Sequence, residues 1–454
     1  MKRNKIFTTT RMIALGFFVA IVLGTVLLSL PIATKSRTVT PFVDSLFTAT
    51  TSTCVTGLTT VVTVEHWSLF GQLVILFLIQ FGGLGIVTFS TVILLILGKR
   101  ISLKERLLIQ EAYNLDTLQG LVAITIRVMK GTLVVEGIGA VLYSVRFIND
   151  YGPVRGIWYS IFHSVSAFCN AGIDLLGSSS LERYQTDVLI NAVTMLLIIL
   201  GGIGFPIWWE VVNNIRNVRK KWKRDEKAVL RFSYQFKVVV TITLILIAVG
   251  TVLTLIMEYD NPETLKPLKG GQKLMAALFQ SVTLRTAGFA TISQKGFREA
   301  TCLVYLLLMI IGGSPSGTAG GIKTTTAAVI GASVLSTVWG KEDVSLMKRK
   351  LPDRVAKKAL AVTGVSVMAI FVLALLLTAV QKSNFLDTIY EVISATATVG
   401  LSRDLTQGLN EAGKCIIIMG MYLGRIGPIT MALAFNSKRS GARTSNPTGR
   451  LMVG

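Results

Sequence analysis

Long apolar segments alternate with short polar connections along the whole chain of 454 residues. A helix of about 20 apolar residues crosses a bilayer, and eight segments approach that length. We predict four outer helices, at 12–30, 122–147, 238–257 and 360–380. We predict four inner helices, at 69–97, 188–212, from 302 onward and at 415–435. The pattern predicts an all-α membrane protein with eight transmembrane helices.

A shorter apolar run lies between the outer and the inner helix of each pair, and it is too short to cross a membrane. These runs occupy 42–60, 158–176, 274–292 and 386–402. Each has an aromatic residue nine or ten positions before a glycine; the aromatic residues are Phe47, Phe162, Phe279 and Tyr390. We predict that the runs are pore loops, which enter the membrane and return to the side from which they came.

The residues around these glycines are alike in the four loops. The segments read Thr53-Cys54-Val55-Thr56-Gly57-Leu58, Phe168-Cys169-Asn170-Ala171-Gly172-Ile173, Leu284-Arg285-Thr286-Ala287-Gly288-Phe289 and Thr396-Ala397-Thr398-Val399-Gly400-Leu401. The glycines are 115, 116 and 112 residues apart, which indicates an internal repeat. We expect one membrane domain, 1–454, with repeats at about 1–102, 103–232, 233–355 and 356–436 and a tail at 437–454.

The inner segments are interrupted near the middle by glycine. The interruption lies 24 to 29 residues after each loop glycine, at Gly82, Gly201, Gly312 and Gly424. In the third repeat it comprises Gly312, Gly313, Ser314, Pro315, Ser316, Gly317, Thr318, Ala319, Gly320 and Gly321. Six glycine or proline residues among these ten cannot continue a regular helix. Because non-helical backbone at membrane depth needs cover from protein or a water-filled cavity, we predict that this segment lines a pore.

Arg425 lies at the interruption of the last inner segment. A guanidinium inside a membrane protein needs hydrogen-bond acceptors. The carbonyl oxygens of the irregular segment 312–321 are the candidates, and packing against the end of its own helix is the alternative.

Composition and charge agree with a membrane protein. Half of the residues are hydrophobic (51%), 15% are charged, and mean hydropathy is +0.62. Of 46 Lys and Arg, 28 lie at the termini and in alternate connections, whereas the opposite connections carry 13 basic and 14 acidic residues. This asymmetry predicts a multi-pass plasma-membrane protein in the lipid bilayer, with both termini cytoplasmic and the pore loops entering from outside. The net charge of +22 therefore does not indicate nucleic acid, although the basic face leaves contact with anionic lipid or an acidic partner open.

A few polar residues in apolar surroundings are candidates for other roles. The outer segment 122–147 carries Arg127, Lys130 and Glu136. The two cations are expected to reach the membrane surface, and Glu136 could pair with a base from another helix. His163, in the second pore loop, is weak support for a nucleophilic site. Four cysteines without metal-ligand spacing predict neither a zinc site nor a disulfide framework, and Cys54 and Cys169 are expected to pack behind their loops.

The repeated glycine suggests an ion filter. Glycine adopts positive φ without steric cost, so four loops meeting on one axis can direct carbonyl oxygens inward, and such oxygens replace the hydration shell of K⁺. The candidate filter residues are Val55, Thr56, Gly57, Asn170, Ala171, Gly172, Thr286, Ala287, Gly288, Thr398, Val399 and Gly400. Glycines used only for close helix packing are the alternative, which four copies in register make the weaker one.

These motifs resemble the membrane subunit of the Trk/Ktr/HKT superfamily of potassium transporters, and Ktr-type subunits in particular. The resemblance covers essentially residues 1–454 and is carried by Asn170-Ala171-Gly172, Arg285-Thr286-Ala287-Gly288-Phe289, segment 312–321 with the following Ile322-Lys323-Thr324-Thr325-Thr326, Thr398-Val399-Gly400-Leu401 and Gly424-Arg425-Ile426-Gly427-Pro428. It implies a pseudo-fourfold, potassium-channel-like fold, a homodimer with one pore per protomer, and a cytoplasmic nucleotide-binding ring of the RCK type. It also implies a gate at 312–321 contacted by Arg425, and a preference for K⁺ over Na⁺, with Na⁺ coupling open.

Three functions remain for comparison. The first is gated K⁺ uptake driven by membrane potential, without a cofactor in this chain, since the chain has no Gly-x-x-x-x-Gly-Lys-Ser/Thr phosphate loop. The second is an ion-coupled transporter of another solute, which predicts inverted repeats. The third is an intramembrane enzyme, which needs a nucleophile and a base; His163 and Cys169 are the only candidates for them. The parallel fourfold repeat favours the first, and we expect no enzyme.

Overall fold

A computed structural model of the protein describes residues 9–85, 88, 89, 91, 94, 95, 121–222 and 230–427. Apart from one small hairpin, its regular structure is helical. Its longer helices are, in chain order, α1 (Thr9–Ser29), α2 (Phe42–Cys54), α3 (Thr63–His66), α4 (Leu69–Leu84), α5 (Leu121–Tyr151), α6 (Pro153–Cys169), α7 (Val188–Gly202), α8 (Phe205–Trp222), α9 (Tyr234–Glu258), α10 (Gly270–Thr283), α11 (Glu299–Ile310), α12 (Thr324–Val338), α13 (Asp353–Val380), α14 (Phe385–Thr396) and α15 (Glu411–Ile426). Short 3₁₀ turns lie at Pro31–Ala33, Glu182–Tyr184, Gln294–Gly296 and Thr406–Gly408. The hairpin, β1 (Ser345–Leu346) with β2 (Arg349–Lys350), connects α12 to α13.

Four described helices, α1, α5, α9 and α13, are long and apolar enough to cross a membrane. They correspond to the four predicted outer helices, with ends shifted by up to seven residues. Each leaves many of its large apolar side chains exposed, for example Leu23, Val141, Ile256 and Phe371. Exposed aliphatic faces of this length are what a bilayer solvates. The chain is therefore a multi-pass membrane protein.

Short helices occupy the first halves of the predicted pore loops. They are α2, α6, α10 and α14, of 13, 17, 14 and 12 residues. The predicted starts at 158 and 274 are too late, because these two helices begin in the more polar residues before the apolar runs. The helix α6 begins at Pro153, since proline suits the first turn of a helix and Gly152 precedes it with φ 80°; α10 begins at Gly270.

The inner segments are interrupted where glycine predicts it. The helices α4, α7 and α15 end at Leu84, Gly202 and Ile426, and α11 ends at Ile310, before the irregular segment. The inner segment predicted at 188–212 is interrupted after Gly202, close to the predicted break at Gly201, and the chain bends by 101° between α7 and α8. Most of 86–97, and all of 428–454 with the predicted tail, lie outside the described residues.

The core of the molecule lies around the four short helices. Their aromatic residues Phe47, Phe162, Phe279 and Tyr390 are all 0% exposed. The helices α2 and α6 pack against α4, and α14 packs against α15. Because the long helices face outward and the short ones are enclosed, the turns that follow the short helices are held in the interior.

Candidate functional site

The four loop glycines lie against one another in a closed ring. A side-chain carbon on Gly57 would lie 2.6 Å from the carbonyl oxygen of Ala171 and 3.2 Å from the Cα of Gly400. One on Gly172 would lie 2.6 Å from the Cα of Gly288, and one on Gly288 would lie 3.3 Å from the Cα of Gly400. Each glycine thus borders the glycine of the next loop in the chain, and the fourth borders the first.

The backbone conformation of the loops is the same in all four. The glycines have φ values of 106°, 65°, 83° and 91° in chain order. The residues two positions before them are also left-handed: Val55 (φ 56°), Asn170 (φ 60°), Thr286 (φ 65°) and Thr398 (φ 52°). Positive φ is rare for β-branched residues and persists only where the surrounding structure imposes it. One constraint therefore acts at the same position of each loop.

Hydroxyl groups at the ends of the short helices hold the loops in place. The amide of Gly57 donates to the hydroxyl of Thr51, and the amide of Gly400 donates to the hydroxyl of Ser394; both hydrogen bonds are 3.0 Å long. The hydroxyl of Ser166 donates to the carbonyl oxygen of Ile173 at 2.6 Å, and that of Thr283 donates to Phe289 at 2.6 Å. Sequence reasoning missed these four residues. Their signal was a Ser or Thr five or six positions before every loop glycine.

The loop carbonyl oxygens have no hydrogen-bond partners in the described part of the chain. Among the described residues, none of the carbonyl oxygens of the twelve candidate filter residues accepts a hydrogen bond. Four polar side-chain atoms beside them, Thr56 Oγ1, Asn170 Nδ2, Thr286 Oγ1 and Thr398 Oγ1, are buried and have no partner there either. Buried backbone oxygens are almost always satisfied, so a cluster of free ones suits a cation or water.

The irregular segment 312–321 lies between α11 and α12, and it is non-helical as the sequence predicts. Its first half folds back on its second half, because Gly312 N–H donates to Ile322 and Gly313 N–H to Gly320. It is also joined to the interruption after α7: the amides of Ser314 and Thr318 donate to the carbonyl oxygens of Gly202 and Gly201, at 2.8 and 3.0 Å.

The segment contacts residues of three of the four loops. The hydroxyl of Thr318 lies 3.1 Å from the carbonyl oxygen of Phe168 and 3.3 Å from Asn170 Oδ1. A side-chain carbon on Gly320 would lie 1.9 Å from Thr398 Oγ1. Arg285 of the third loop also donates to the carbonyl oxygen of Gly312. The irregular segment therefore lies directly beneath the ring on the side of the second, third and fourth loops.

Arg425 connects this segment to the first repeat. Its Nη1 donates to the carbonyl oxygen of Thr318, which confirms the predicted acceptor within 312–321. Its Nη2 donates to the carbonyl oxygens of Gly82 and Gly83, which the sequence did not predict. Two further cations bind the segment, Lys323 through Ala319 O at 2.8 Å and Arg285 through Gly312 O at 3.3 Å. Arg285 and Lys323 both lie in the sequence motifs given above, but the sequence alone predicts no role for either.

A cavity of about 970 Å³ lies beside the irregular segment, between α1, α12, α13 and α15. Its described lining includes Lys323, Arg354, Lys358 and Arg425 and no carboxylate. Like charges repel, so these four basic side chains disfavour a cation there.

Two other polar candidates, Glu136 and His163, belong neither to the ring nor to the irregular segment. Glu136 is buried and accepts a hydrogen bond from Gln80 Nε2 at 3.2 Å; among the described residues it has no basic partner. His163 is bonded at Nδ1 to Tyr159 O (2.7 Å), and its Nε2 lies 3.4 Å from the amide of Leu175. These contacts support a structural role for His163 rather than a nucleophilic one.

Two basic residues and two cysteines have the exposure that the sequence predicts. Arg127 and Lys130 are exposed near the start of α5, which agrees with cations that reach the membrane surface. Cys54 and Cys169 are buried. Cys169 packs against Gly83, where a side-chain carbon would lie 2.5 Å from its Sγ.

Together, spanning helices around enclosed, glycine-lined loops define a membrane transport protein. The chain belongs to the TrkH family of cation transport proteins, whose model matches residues 7–444, and the resemblance in the sequence is thereby confirmed. The chain is 41% identical over 448 residues to Ktr system potassium uptake protein B of Bacillus subtilis (strain 168), covering 99% of this chain and 97% of that protein. It is 38% identical over 457 residues to potassium/sodium uptake protein NtpJ of Enterococcus hirae, covering 99% and 98%.

The fold has a counterpart among solved structures. The crystal structure of the potassium transporter TrkH from Vibrio parahaemolyticus matches with a TM-score of 0.67 at 18% sequence identity. The match covers 96% of this chain and 86% of that one. At this level of identity the likeness concerns the fold.

Proposed function

We propose that the protein takes up K⁺ through a gated, channel-like pore whose selectivity filter is the ring of four glycine loops. The observation that carries the proposal is the closed ring of Gly57, Gly172, Gly288 and Gly400 together with the twelve carbonyl oxygens that accept no hydrogen bond among the described residues. An ion that has lost its water shell needs several oxygen ligands from different directions. Four converging loops supply them.

The driving force is the membrane potential. A cation moving inward gains about 2.3 kcal/mol per 100 mV, so accumulation needs no cofactor in this chain. K⁺ is the proposed ion because the relatives are named potassium uptake proteins and because Thr398-Val399-Gly400 matches the filter of potassium channels. The name of the Enterococcus relative also includes sodium, so Na⁺ is the candidate coupling or activating ion.

The same ring supports a pseudo-fourfold arrangement of four repeats, each a helix, a pore loop and an interrupted helix, with eight transmembrane helices in all. Neighbours in the ring are neighbours in the chain, and the left-handed residues recur at one position in each loop. A chain folded from tandem copies around an axis has this property. We keep the repeat boundaries that the sequence predicts, near 102, 232, 355 and 436.

The gate is proposed to be the irregular segment 312–321 with Arg425. The segment lies beneath the ring, and the cavity beside it carries positive charge. Transport requires that the segment move aside, which breaks the contacts of Thr318 and Arg425. A pore blocked by backbone that these hydrogen bonds hold is closed until they break.

The assembly proposed is a homodimer with one pore per protomer, regulated by a cytoplasmic RCK-type nucleotide-binding ring. The support is the family resemblance and the word "system" in the names of the Ktr relatives. The orientation proposed places both termini in the cytoplasm and the pore loops outside, because 28 of 46 basic residues lie on the other side from the loops.

Uptake of K⁺ by cells that lack their own K⁺ transport tests the proposal. We expect growth at low K⁺ and uptake of Rb⁺ that stops when the membrane potential is collapsed. Repeating the measurement without Na⁺ decides whether Na⁺ is required. Uptake of neither ion by a protein present in the membrane would favour the alternative, an ion-coupled transporter of another small solute.

A further inference from the structure

The helix α8 runs across the direction of the helix before it. The bend between α7 and α8 is 101°. An α-helix of 18 residues is about 27 Å long. Since α7 belongs to an inner segment that runs through the membrane, a helix nearly perpendicular to it runs close to the membrane plane. Its second half carries exposed Arg216 and Arg219, which are costly in the hydrocarbon core, so we place that half at the membrane surface.

The exposed side chains of α8 are divided between two faces. Val212 and Ile215 are 39% and 60% exposed, and with exposed Arg219 they follow the spacing of one helical stripe. Asn213 and Asn217 are also exposed but lie on the other side of the helix. Such a helix has one face for acyl chains and one for water.

The basic side chains near α8 have no acidic partner among the described residues. Arg216 and Arg219 are exposed and make no ion pair there. The one carboxylate on the helix, Glu210, accepts hydrogen bonds from the amide and hydroxyl of Ser233. The guanidinium of an arginine on a lipid-facing stripe needs an anionic partner at the membrane surface.

The start of α5 adds two more cations beside the beginning of α8. The indole of Trp209 lies 3.6 Å from where a side-chain carbon on Gly131 would be. Exposed Arg127 and Lys130 precede Gly131 by one turn or less. Two cations therefore lie beside the beginning of α8, and two more, Arg216 and Arg219, lie in its second half.

We propose that α8 and the start of α5 form an interfacial anchor that binds the phosphate headgroups of anionic phospholipids in the inner leaflet. Val212 and Ile215 enter the acyl region, and Arg216, Arg219, Arg127 and Lys130 contact the phosphates. The exposed aliphatic stripe favours lipid over an acidic protein surface, because interfacial helices bind by apolar area together with charge. The proposal rests on the membrane placement and its orientation, and does not require that the ring conduct K⁺.

Spin labels measure the depth of α8 directly. Cys415 is the exposed cysteine of the described chain, and Cys54, Cys169 and Cys302 are buried, so Cys415→Ser gives a suitable background. We expect a label at Val212→Cys to be relaxed by oxygen, and one at Asn213→Cys to be relaxed by a water-soluble nickel chelate. Equal exposure of both sites to the chelate in lipid nanodiscs would overturn the proposal.

Lipid retention tests the charge. The full-length protein is purified from bilayers of equal phosphatidylglycerol and phosphatidylcholine, and the retained lipids are quantified by mass spectrometry. Arg216→Gln with Arg219→Gln is expected to lower retained phosphatidylglycerol at least threefold. The matched control, Lys35→Gln with Arg37→Gln, removes two exposed cations of the opposite side and is expected to change nothing. Unchanged retention in the first variant, or loss only of binding to a cytoplasmic protein, would contradict the proposal.

Discussion

The guanidinium of Arg425 donates a hydrogen bond to the carbonyl oxygen of Thr318, 107 positions earlier in the chain. The hydroxyl of the same threonine lies 3.3 Å from Asn170 Oδ1 in the second glycine loop, and its amide donates 3.0 Å to Gly201. One residue therefore joins the irregular segment, the last inner helix, the interruption after α7 and the ring. In the proposed mechanism, movement of the gate must break these bonds together.

Replacing Thr318 by valine tests this junction. Thr318→Val keeps the shape and removes the hydroxyl bonds to Phe168 and Asn170. A neutral hydrogen bond contributes about 1 kcal/mol, so we expect flux without the regulatory partner to rise about fivefold in proteoliposomes. Thr318→Ser retains the donor and is the control. Equal flux in the valine and serine variants would show that the hydroxyl does not hold the gate.

Arg425→Ala removes three contacts to backbone oxygens at once. Hydrogen bonds from a charged donor contribute about 1.5–3 kcal/mol, so flux without the partner is expected to rise by about tenfold or more. The ratio of K⁺ to Na⁺ flux should stay the same. The ratio is measured from reversal potentials, with Arg425→Lys as the control that keeps the charge. A changed ratio with normal regulation would instead assign Arg425 to the support of the filter.

Gly288→Ser is expected to weaken discrimination between K⁺ and Na⁺. Gly288 has φ 83°, and a side-chain carbon there would lie 2.9 Å from the carbonyl oxygen of Val399. The displaced backbone loses ligand geometry, and about 1.4 kcal/mol of lost preference corresponds to a tenfold fall in the ratio of the two fluxes. Gly331→Ser, at a position with nothing within 4 Å, is the matched control. An unaltered ratio in both variants would count against the filter.

Deletion of 313–317 shortens the irregular segment and removes the bond from Ser314 to Gly202. If the segment is a gate, Rb⁺ uptake without the regulatory partner should increase. The measurement requires that the variant reach the membrane in normal amounts. An inactive variant at normal abundance would mean that the segment supports the fold instead.

The sequence predicted the parts of this structure that depend on local backbone chemistry. Four glycine loops and the irregular segment were visible because glycine and proline exclude regular helix at their positions. The outer helices were predictable because a run of about 20 apolar residues is typical of a transmembrane helix. The early start of α6 at Pro153 was missed, because the residues around it are polar or small and resemble a connection. The break before α8 was predicted at Gly201, but its angle of 101° depends on packing and has no signal in the sequence.

Other features of the site have no signal in a single sequence. Nothing in Val55 indicates a left-handed backbone, which its branched side chain disfavours. The contact of Arg425 with Gly82 joins residues 343 positions apart, and such a contact depends on how the repeats pack. That Arg425 needs a carbonyl partner was predictable from its place in an apolar inner segment, whereas the choice among carbonyls was not.

The central claim is that the four glycine loops bind a bare monovalent cation between them. Diffraction from crystals soaked in Tl⁺, a K⁺ substitute with strong anomalous scattering, locates such an ion directly. We predict anomalous density on the axis of the ring, surrounded by carbonyl oxygens of Gly57, Gly172, Gly288 and Gly400 and of the residues that precede them. Tl⁺ transport by the same protein with no density inside the ring, or with density only elsewhere, would contradict the account.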